Sequence, residues 1–330
     1  MKILLISARN FGDSVIITEL IKNIPKNYKI DILTRKEFIP IFKQLVNINN
    51  IYTANFPMGT IKNFNLQEAK KLLTVIKNIR KNDYDFVLNN VGDFRENLLG
   101  FLISKNNVSV KWSNKHPFVN LIRPGLSFLV KRFIEIPDSL LNIYDIQKFI
   151  TFEIFDEVKE NNMSIHQDKE QKYIAIHPIA SQRTKFWKYE NWVKLIQKIQ
   201  INEKIIVFCA PNEVDEIEKN FTLVREKIEI VAKDLDYFFN TLKKVKLFIG
   251  LDSFSIHAAY MMNVPHLIML NGANDSRVWA PPNTKVISGG YNCQYFPCYN
   301  KPKCMKKDFE YVCMNSISVE EVYSVIKGYL

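Results

Sequence analysis

Met1-Lys2-Ile3-Leu4-Leu5-Ile6-Ser7-Ala8-Arg9-Asn10-Phe11-Gly12-Asp13 opens the chain and decides its fold class. The apolar run is closed off by Ser7 and Arg9, too early for a secretory h-region, and no small-residue cleavage site follows. It reads instead as a buried strand from Ile3 to Ser7, then a short loop, then a helix over Ser14 to Ile24. Strands are next expected at Tyr28 to Leu33 and Asp85 to Leu88, and helices at Glu37 to Leu45, Leu66 to Ile79 and Glu96 to Ile103. Strands alternating with helices imply a parallel sheet covered on both faces, an α/β arrangement.

The pattern starts again after the midpoint. Ile134 to Lys159 has helical spacing, and Asn161 to Lys172 is polar, with Asn, Gln, Asp, Glu and Lys in close succession, which marks a hinge. Strands follow at Tyr173 to His177, Ile205 to Cys209, Ile228 to Val231, Leu247 to Ile249 and His266 to Leu270. Helices are expected at Tyr189 to Ile199, from Asn212, at Leu235 to Leu242 and at Ser255 to Met261. A length of 330 residues suits two domains. We therefore expect two Rossmann-like lobes facing a cleft, residues 1–165 and 166–330.

With 47% hydrophobic and 24% charged residues and no low-complexity tract, disorder is excluded. No apolar run reaches the roughly 18–20 residues of a membrane span, so a cytoplasmic protein is expected. A net charge of +11 favours anionic partners: nucleotides, nucleic acid, a phosphorylated glycolipid or an anionic membrane face. Solvated surface lysines explain the same number equally well. The segment from Pro117 to Phe133 is apolar with basic punctuation. It suits an interfacial helix on the inner membrane, although packing on the sheet is the preferred reading.

Ligands of parallel sheets bind at the carboxyl ends of strands, so loops there carry the candidate chemistry. The first loop has one glycine, and the missing G-x-G-x-x-G fingerprint argues against a nicotinamide-dependent dehydrogenase. Its Asp13 is either a catalytic carboxylate or an acid favoured by a helix dipole. The loop His177 to Trp187 offers Ser181, Arg183, Thr184 and Lys185, donors suited to a diphosphate leaving group; a plain polar connection is the ordinary alternative. Glu213 after Ala210-Pro211-Asn212 could accept from ribose hydroxyls or simply begin a helix. Asp252, Ser253 and His257 stand where a strand meets a helix N-terminus, as anion-site residues or as caps and core. Two D-x-D pairs, Asp83-Tyr84-Asp85 and Asp234-Leu235-Asp236, are better explained as turn and cap residues, and no catalytic metal is invoked.

Taken in order, these segments resemble the heptosyltransferases, the family 9 glycosyltransferases of the GT-B fold. The resemblance rests on the Met1 to Ile6 strand with Gly12-Asp13, on Ile176-His177-Pro178 with Lys185-Phe186-Trp187, on Ala210-Pro211-Asn212-Glu213, and on Asp252-Ser253 with His257-Ala258-Ala259. It implies an inverting enzyme that moves a heptose from a nucleotide donor, ADP-heptose by default, to lipopolysaccharide or lipooligosaccharide core. Asp13 would be the general base of an acceptor-binding first lobe. Ser181, Lys185, Glu213, Asp252, Ser253 and His257 would hold the donor in the second, and Arg9, Asn10, Arg95 and Lys115 would receive an anionic glycolipid acceptor. Phe254 departs from the family pattern, which has glycine after Asp-Ser, so another nucleotide sugar is an open alternative. So is another acceptor: a protein such as an autotransporter adhesin, or a different polysaccharide.

Of five cysteines, Cys209 reads as core. Cys293, Cys298, Cys304 and Cys313 cluster in one loop, with gaps of four, five and eight residues. Structural zinc or iron, reduced thiols and disulfides all remain open, the last disfavoured in a reducing cytosol. Heptosyltransferases that act on autotransporter adhesins look similar in having a cysteine-bound iron. A basic nucleic-acid-binding protein is the alternative from another class, but the charges are spread along both halves and no recognition motif or stacking run is present. No nucleic-acid partner is expected.

Overall fold

The computed structural model describes residues 1–56, 65–117, 119, 123–155, 171–201, 204–299, 302, 304 and 311–330. The chain divides into two compact units, Met1–Met163 and Ser164–Leu330.

In the first unit the order is β1 (Lys2–Ser7), α1 (Phe11–Asn23), β2 (Lys29–Thr34), α2 (Ile39–Phe42), β3 (Ile48–Thr53), α3 (Leu66–Ile79) and β4 (Phe86–Asn89). Then come α4 (Phe94–Ile103), β5 (Asn107–Lys111), β6 (Arg132–Glu135) and α5 (Ile143–Phe155). The strands form one parallel sheet in the order β3-β2-β1-β4-β5-β6. β1 is buried along almost its whole length, as a strand covered on both faces must be. α1 is likewise almost entirely buried, because α5 packs over it.

The second unit repeats the plan: β7 (Tyr173–His177), α6 (Tyr189–Lys198), β8 (Ile205–Phe208), α7 (Val214–Asn220), β9 (Ile228–Val231), α8 (Leu235–Leu242) and β10 (Val245–Leu251). It continues with α9 (Phe254–Met261), β11 (His266–Asn271), α10 (Ser276–Trp279), β12 (Lys285–Ser288), α11 (Val312–Asn315) and α12 (Val319–Ile326). Its parallel order is β12-β11-β10-β7-β8-β9. The core is built on Ile174, Ile176, Leu247 and Ile249 with the fully buried Trp187 and Trp192. Trp187 donates its indole N–H to the Ile317 carbonyl at 2.9 Å, which ties the loop after β7 to the chain's end.

Three expectations need correction. Residues 134 and 135 end strand β6 instead of starting a helix, which begins only at Ile143. The span Glu37 to Leu45 is a 3-10 turn, Lys36–Phe38, followed by the four-residue α2, because Pro40 supplies no N–H and can sit only in a first turn. Among the described residues, Pro117 to Phe133 is not a continuous helix: it contains a 3-10 turn at Ser127–Leu129 and enters β6 at Arg132. Residues 161–170 of the expected hinge lie outside the described residues. The edge strands β3, β6 and β12 and the inner strand β5 carry polar residues or follow irregular loops, and periodicity alone passes over them.

Both D-x-D pairs serve the backbone. Asp85 accepts from the Lys2 N–H at 2.6 Å, and Asp234 caps α8 by accepting from the Tyr237 N–H at 2.9 Å.

Candidate functional site

Each sheet reverses its strand order once, between β1 and β4 in the first unit and between β7 and β10 in the second. Loops leaving two such strands part to opposite faces and open a crevice at the carboxyl edge, the usual ligand position of an open α/β sheet.

In the first unit the crevice is bordered by residues 8–13 after β1 and 90–96 after β4. Asp13 lies in the first turn of α1, with its side chain about a quarter exposed. Its Oδ2 is 3.6 Å from the Arg9 Nε and accepts from the Asn10 Nδ2 at 3.3 Å. Across the crevice the buried Asp93 caps α4 and takes Arg95 in a bidentate pair, with contacts of 2.8 Å from both Nε and Nη2. Burial would raise the Asp93 carboxyl, but its bonds from Arg95 and the Arg9 charge outweigh that and hold it below the usual range. The expected acceptor residues Arg9, Asn10 and Arg95 therefore gather around this crevice. Lys115 does not join them: it follows β5, is 87% exposed on its side chain, and has Asp138 at 3.8 Å.

Nothing in the order of residues singles out Glu96. Asp93 and Glu96 have the spacing of a capping box, the dull reading of such a pair. In the structure the box is not closed. Glu96 is fully buried and neither carboxyl oxygen has a hydrogen-bond partner. Burial pushes it up to about 8; Arg9 opposes this, and Asp93 and Asp13 reinforce it. At neutral pH it is a carboxylic acid, so the charges of Arg9 and Arg95 balance those of Asp13 and Asp93.

In the second unit Lys185 and Asp252 meet across the β7/β10 crevice. The Lys185 ammonium donates to the Asp252 carbonyl at 2.8 Å and lies 3.2 Å from its Oδ2. Asp252 is buried and also accepts from the Asn274 side-chain amide. Burial alone would raise its pKa, but the Lys185 charge, the neighbouring His257 and these hydrogen bonds hold it down. His257 is buried in the first turn of α9 and pushed down to about 4, mainly by desolvation, so its ring is neutral. Ser253 stands at the N-cap position of α9, yet its hydroxyl makes no cap bond and instead contacts the Ser255 hydroxyl at 3.0 Å. Ser181 is exposed on the loop leading to Lys185.

Beside this pair a cavity of about 360 Å³ is lined by His177, Phe208, Ala210, Pro211, Phe238 and Phe254, among others. Phe254 packs at 5.9 Å from the Phe238 ring and 6.4 Å from Phe239. Glu213 is at the same edge, and its Oε2 is occupied by the Ala210 N–H at 2.7 Å. The helix-start explanation thus accounts for one of its oxygens.

Cys293, Cys298, Cys304 and Cys313 line a single small cavity together with Thr184, Gly272 and Ala273. Among the described residues no three His, Cys, Asp or Glu side chains have the arrangement of a metal site. Burial and the neighbouring thiols hold Cys298 up, and Cys313 up at about 11, so both are thiols.

Residues 72–308 match the model of glycosyltransferase family 9 (heptosyltransferase). Lipopolysaccharide heptosyltransferase 3 of Escherichia coli K12 is 26% identical over 302 residues, 84% of this chain and 85% of that protein. E. coli heptosyltransferase WaaC, solved with ADP-2-deoxy-2-fluoro heptose, superposes with a TM-score of 0.78 at 15% identity over 100% of both chains. The iron-containing dodecameric glycosyltransferase TibC of enterotoxigenic E. coli H10407 gives 0.57 at 10% identity, over 99% of this chain and 78% of that one.

Two outcomes follow from these charges. Lys185→Met leaves Asp252 buried without its cation and is expected to cost about 3 kcal/mol in urea unfolding, with Lys185→Met/Asp252→Asn recovering most of the loss; additive costs would mean the two do not interact. For Glu96 the unfolded group releases its proton near 4.5 and the folded one near 8, so the folded state holds the extra proton between them. Stability must then fall as pH rises through that window, by about 3 kcal/mol at neutral pH. Glu96→Gln should flatten the fall, and parallel melting curves for parent and variant from pH 5 to 8 would disprove it.

Proposed function

The chain belongs to glycosyltransferase family 9, the heptosyltransferases, and from that premise we propose that it is an inverting enzyme that moves a heptose from ADP-heptose to lipopolysaccharide core. The observation that carries this reading is the matched pair of crevices, one presenting a partly exposed carboxylate and the other a cation beside a helix N-terminus. Residues 1–165 are taken as the acceptor lobe and 166–330 as the donor lobe.

In the proposed reaction an acceptor hydroxyl oxygen attacks the anomeric carbon of the donor as its bond to the diphosphate oxygen breaks. Asp13 takes the hydroxyl proton, and the nucleoside diphosphate leaves with the bonding pair. Charge growing on that oxygen is met by Lys185, by the Ser181 and Ser253 hydroxyls and by the N–H groups at the start of α9. Asp252 holds Lys185 at the crevice and His257 lies against Asp252. Glu213 retains one oxygen for a ribose hydroxyl. Arg9, Asn10 and Arg95 form the acceptor side; Lys115 could contribute only to a remote part of a long acceptor.

Phe254 favours a second reading of the donor. It adds a phenyl wall to the 360 Å³ cavity where the family has a glycine, which fits a nucleotide sugar other than ADP-heptose. A protein acceptor such as an autotransporter adhesin, or another polysaccharide, would use the same chemistry. We further propose action on the cytoplasmic face of the inner membrane, without nucleic acid; no helix among the described residues is long and apolar enough to cross a bilayer. The four clustered thiols have the donor chemistry of a structural zinc or iron site, but no three are placed to hold an ion, so no step is assigned to a metal.

Asp13→Ala is expected to abolish transfer in a radiolabelled-sugar assay while nucleotide binding stays nearly intact. Transfer at the parent's rate would remove Asp13 from the mechanism. ADP should raise the melting temperature more than UDP or GDP does. The reverse order would favour the alternative donor, and Phe254→Gly would then be expected to shift the preference back toward ADP.

A further inference from the structure

The helix α4 is apolar on two faces. Leu99, Gly100 and Ile103 are buried against the first unit, whereas Leu98, Phe101 and Leu102 are 40%, 43% and 37% exposed. Their i, i+3, i+4 spacing makes them one outward stripe. The 3-10 turn Ser127–Leu129 packs beside the same helix, and its Phe128 is 81% exposed. That neighbourhood is fixed by backbone and side chain alike: the Phe94 N–H donates to the Arg123 carbonyl at 2.8 Å, and the Asn97 amide to the Gly125 carbonyl at 3.0 Å. Scattered exposed apolar side chains are ordinary, but two phenylalanines and two leucines on adjoining elements form a patch.

Within the segment Phe94 to Ile134 the exposed charges all have one sign. Lys105 follows α4, Arg123 lies at its start and Lys131 follows the Phe128 turn, and all three are exposed. From Phe94 to Ile134 the sequence holds a single acid, Glu96, which is fully buried. The Lys131 ammonium donates to an amide oxygen, that of Asn106 at 2.7 Å. No exposed carboxylate in this span neutralises the rim.

We propose that the outer stripe of α4 and the adjoining Phe128 turn are the surface by which this chain docks on an anionic lipid bilayer. Aromatic and leucine side chains enter the boundary between headgroups and acyl chains, while Lys105, Arg123 and Lys131 reach the lipid phosphates. A nucleic-acid partner would leave the apolar stripe without a matching medium, whereas a bilayer satisfies stripe and rim together. This rests on the proposed reading in one respect: a glycolipid acceptor is held in such a bilayer, and the face belongs to the unit assigned to it.

Flotation of the full chain with phosphatidylcholine vesicles, with and without phosphatidylglycerol, tests the surface. Binding is expected only with phosphatidylglycerol and should weaken as salt rises. Phe101→Asp/Phe128→Asp should weaken it by about tenfold or more. Val46→Asp, which places the same charge on a residue 76% exposed elsewhere in the unit, should leave it unchanged. No flotation of the parent, or equal flotation of parent and double variant, would overturn the proposal. So would self-association that the double variant abolishes, which would give the face to a second copy. Melting temperatures confirm that the variants fold, and the double variant should transfer sugar to a lipid-free acceptor at the parent's rate. A parent that transfers to no acceptor would undo the proposed reaction while leaving the vesicle result standing.

Discussion

A parallel sheet that grows first to one side of its opening strand and then to the other must leave a gap at the carboxyl ends of the two central strands. This constraint acts twice in the chain, beside β1 and beside β7. What the two gaps hold differs from what burial produces elsewhere. At the opposite edge of the first sheet Asp31 is fully buried, yet it receives the Tyr84 hydroxyl at 2.6 Å, Asn49 and Asn50 at 2.8 and 3.1 Å, and the Lys2 ammonium at 3.2 Å. Its demand is fully met. Glu96, at the carboxyl edge of the same sheet, has no hydrogen-bond partner for its carboxyl oxygens among the described residues. A buried acid is not in itself a sign of function, but a buried acid with unmet valence at the one edge where the fold opens is.

The two gaps manage charge in opposite ways. In the second unit one cation and one carboxylate are locked together, and the adjacent imidazole is kept neutral, so the positive character on offer is the ammonium of Lys185 and the N–H groups of α9. Under the proposed reading an arriving diphosphate would compete with Asp252 for that ammonium, which would temper affinity and allow release. In the first unit two arginines and two aspartates balance only while Glu96 keeps its proton. That arrangement leaves Asp13 with a long contact to Arg9, 3.6 Å, instead of a tight bidentate pair of the kind Asp93 makes. A loosely held carboxylate is the one able to turn toward a hydroxyl.

Much of this was legible before any coordinates. The strands β1, β7 and β9 and the helices α3 and α8 follow from apolar period and turn residues, because interior packing writes itself into the order of side chains. Lys185, Asp252, Ser253 and His257 were found through their loop positions, and they do assemble at one crevice. What the sequence withheld was of another kind. β5 and β12 are short and carry polar residues, so their membership in a sheet is decided by neighbours that lie far away in the chain. Glu96 reads as a helix cap, and only tertiary packing tells it from Glu213, whose carboxylate really does reach back to its own helix start. The place of Lys115 was hidden for a similar reason: it follows β5, beyond β4 from β1, and only the strand order tells how far it lies from the crevice.

Phe254 ties the sequence departure to the shape of the second crevice. A glycine at the first position of α9 would leave the helix start open to a nucleotide's backbone-hugging approach. A phenyl ring there cannot be accommodated by the ligand alone, and the structure shows where it goes: it leans onto Phe238 and Phe239, while Phe208 in turn stacks edge-on against Phe238 at 4.7 Å. The ring is thus absorbed into an aromatic wall that faces the cavity of His177 and Pro211. Under the proposed reading such a wall would keep a site for a flat base while taking up the space beside the helix start, and so would act on the choice of donor and not on the class of reaction.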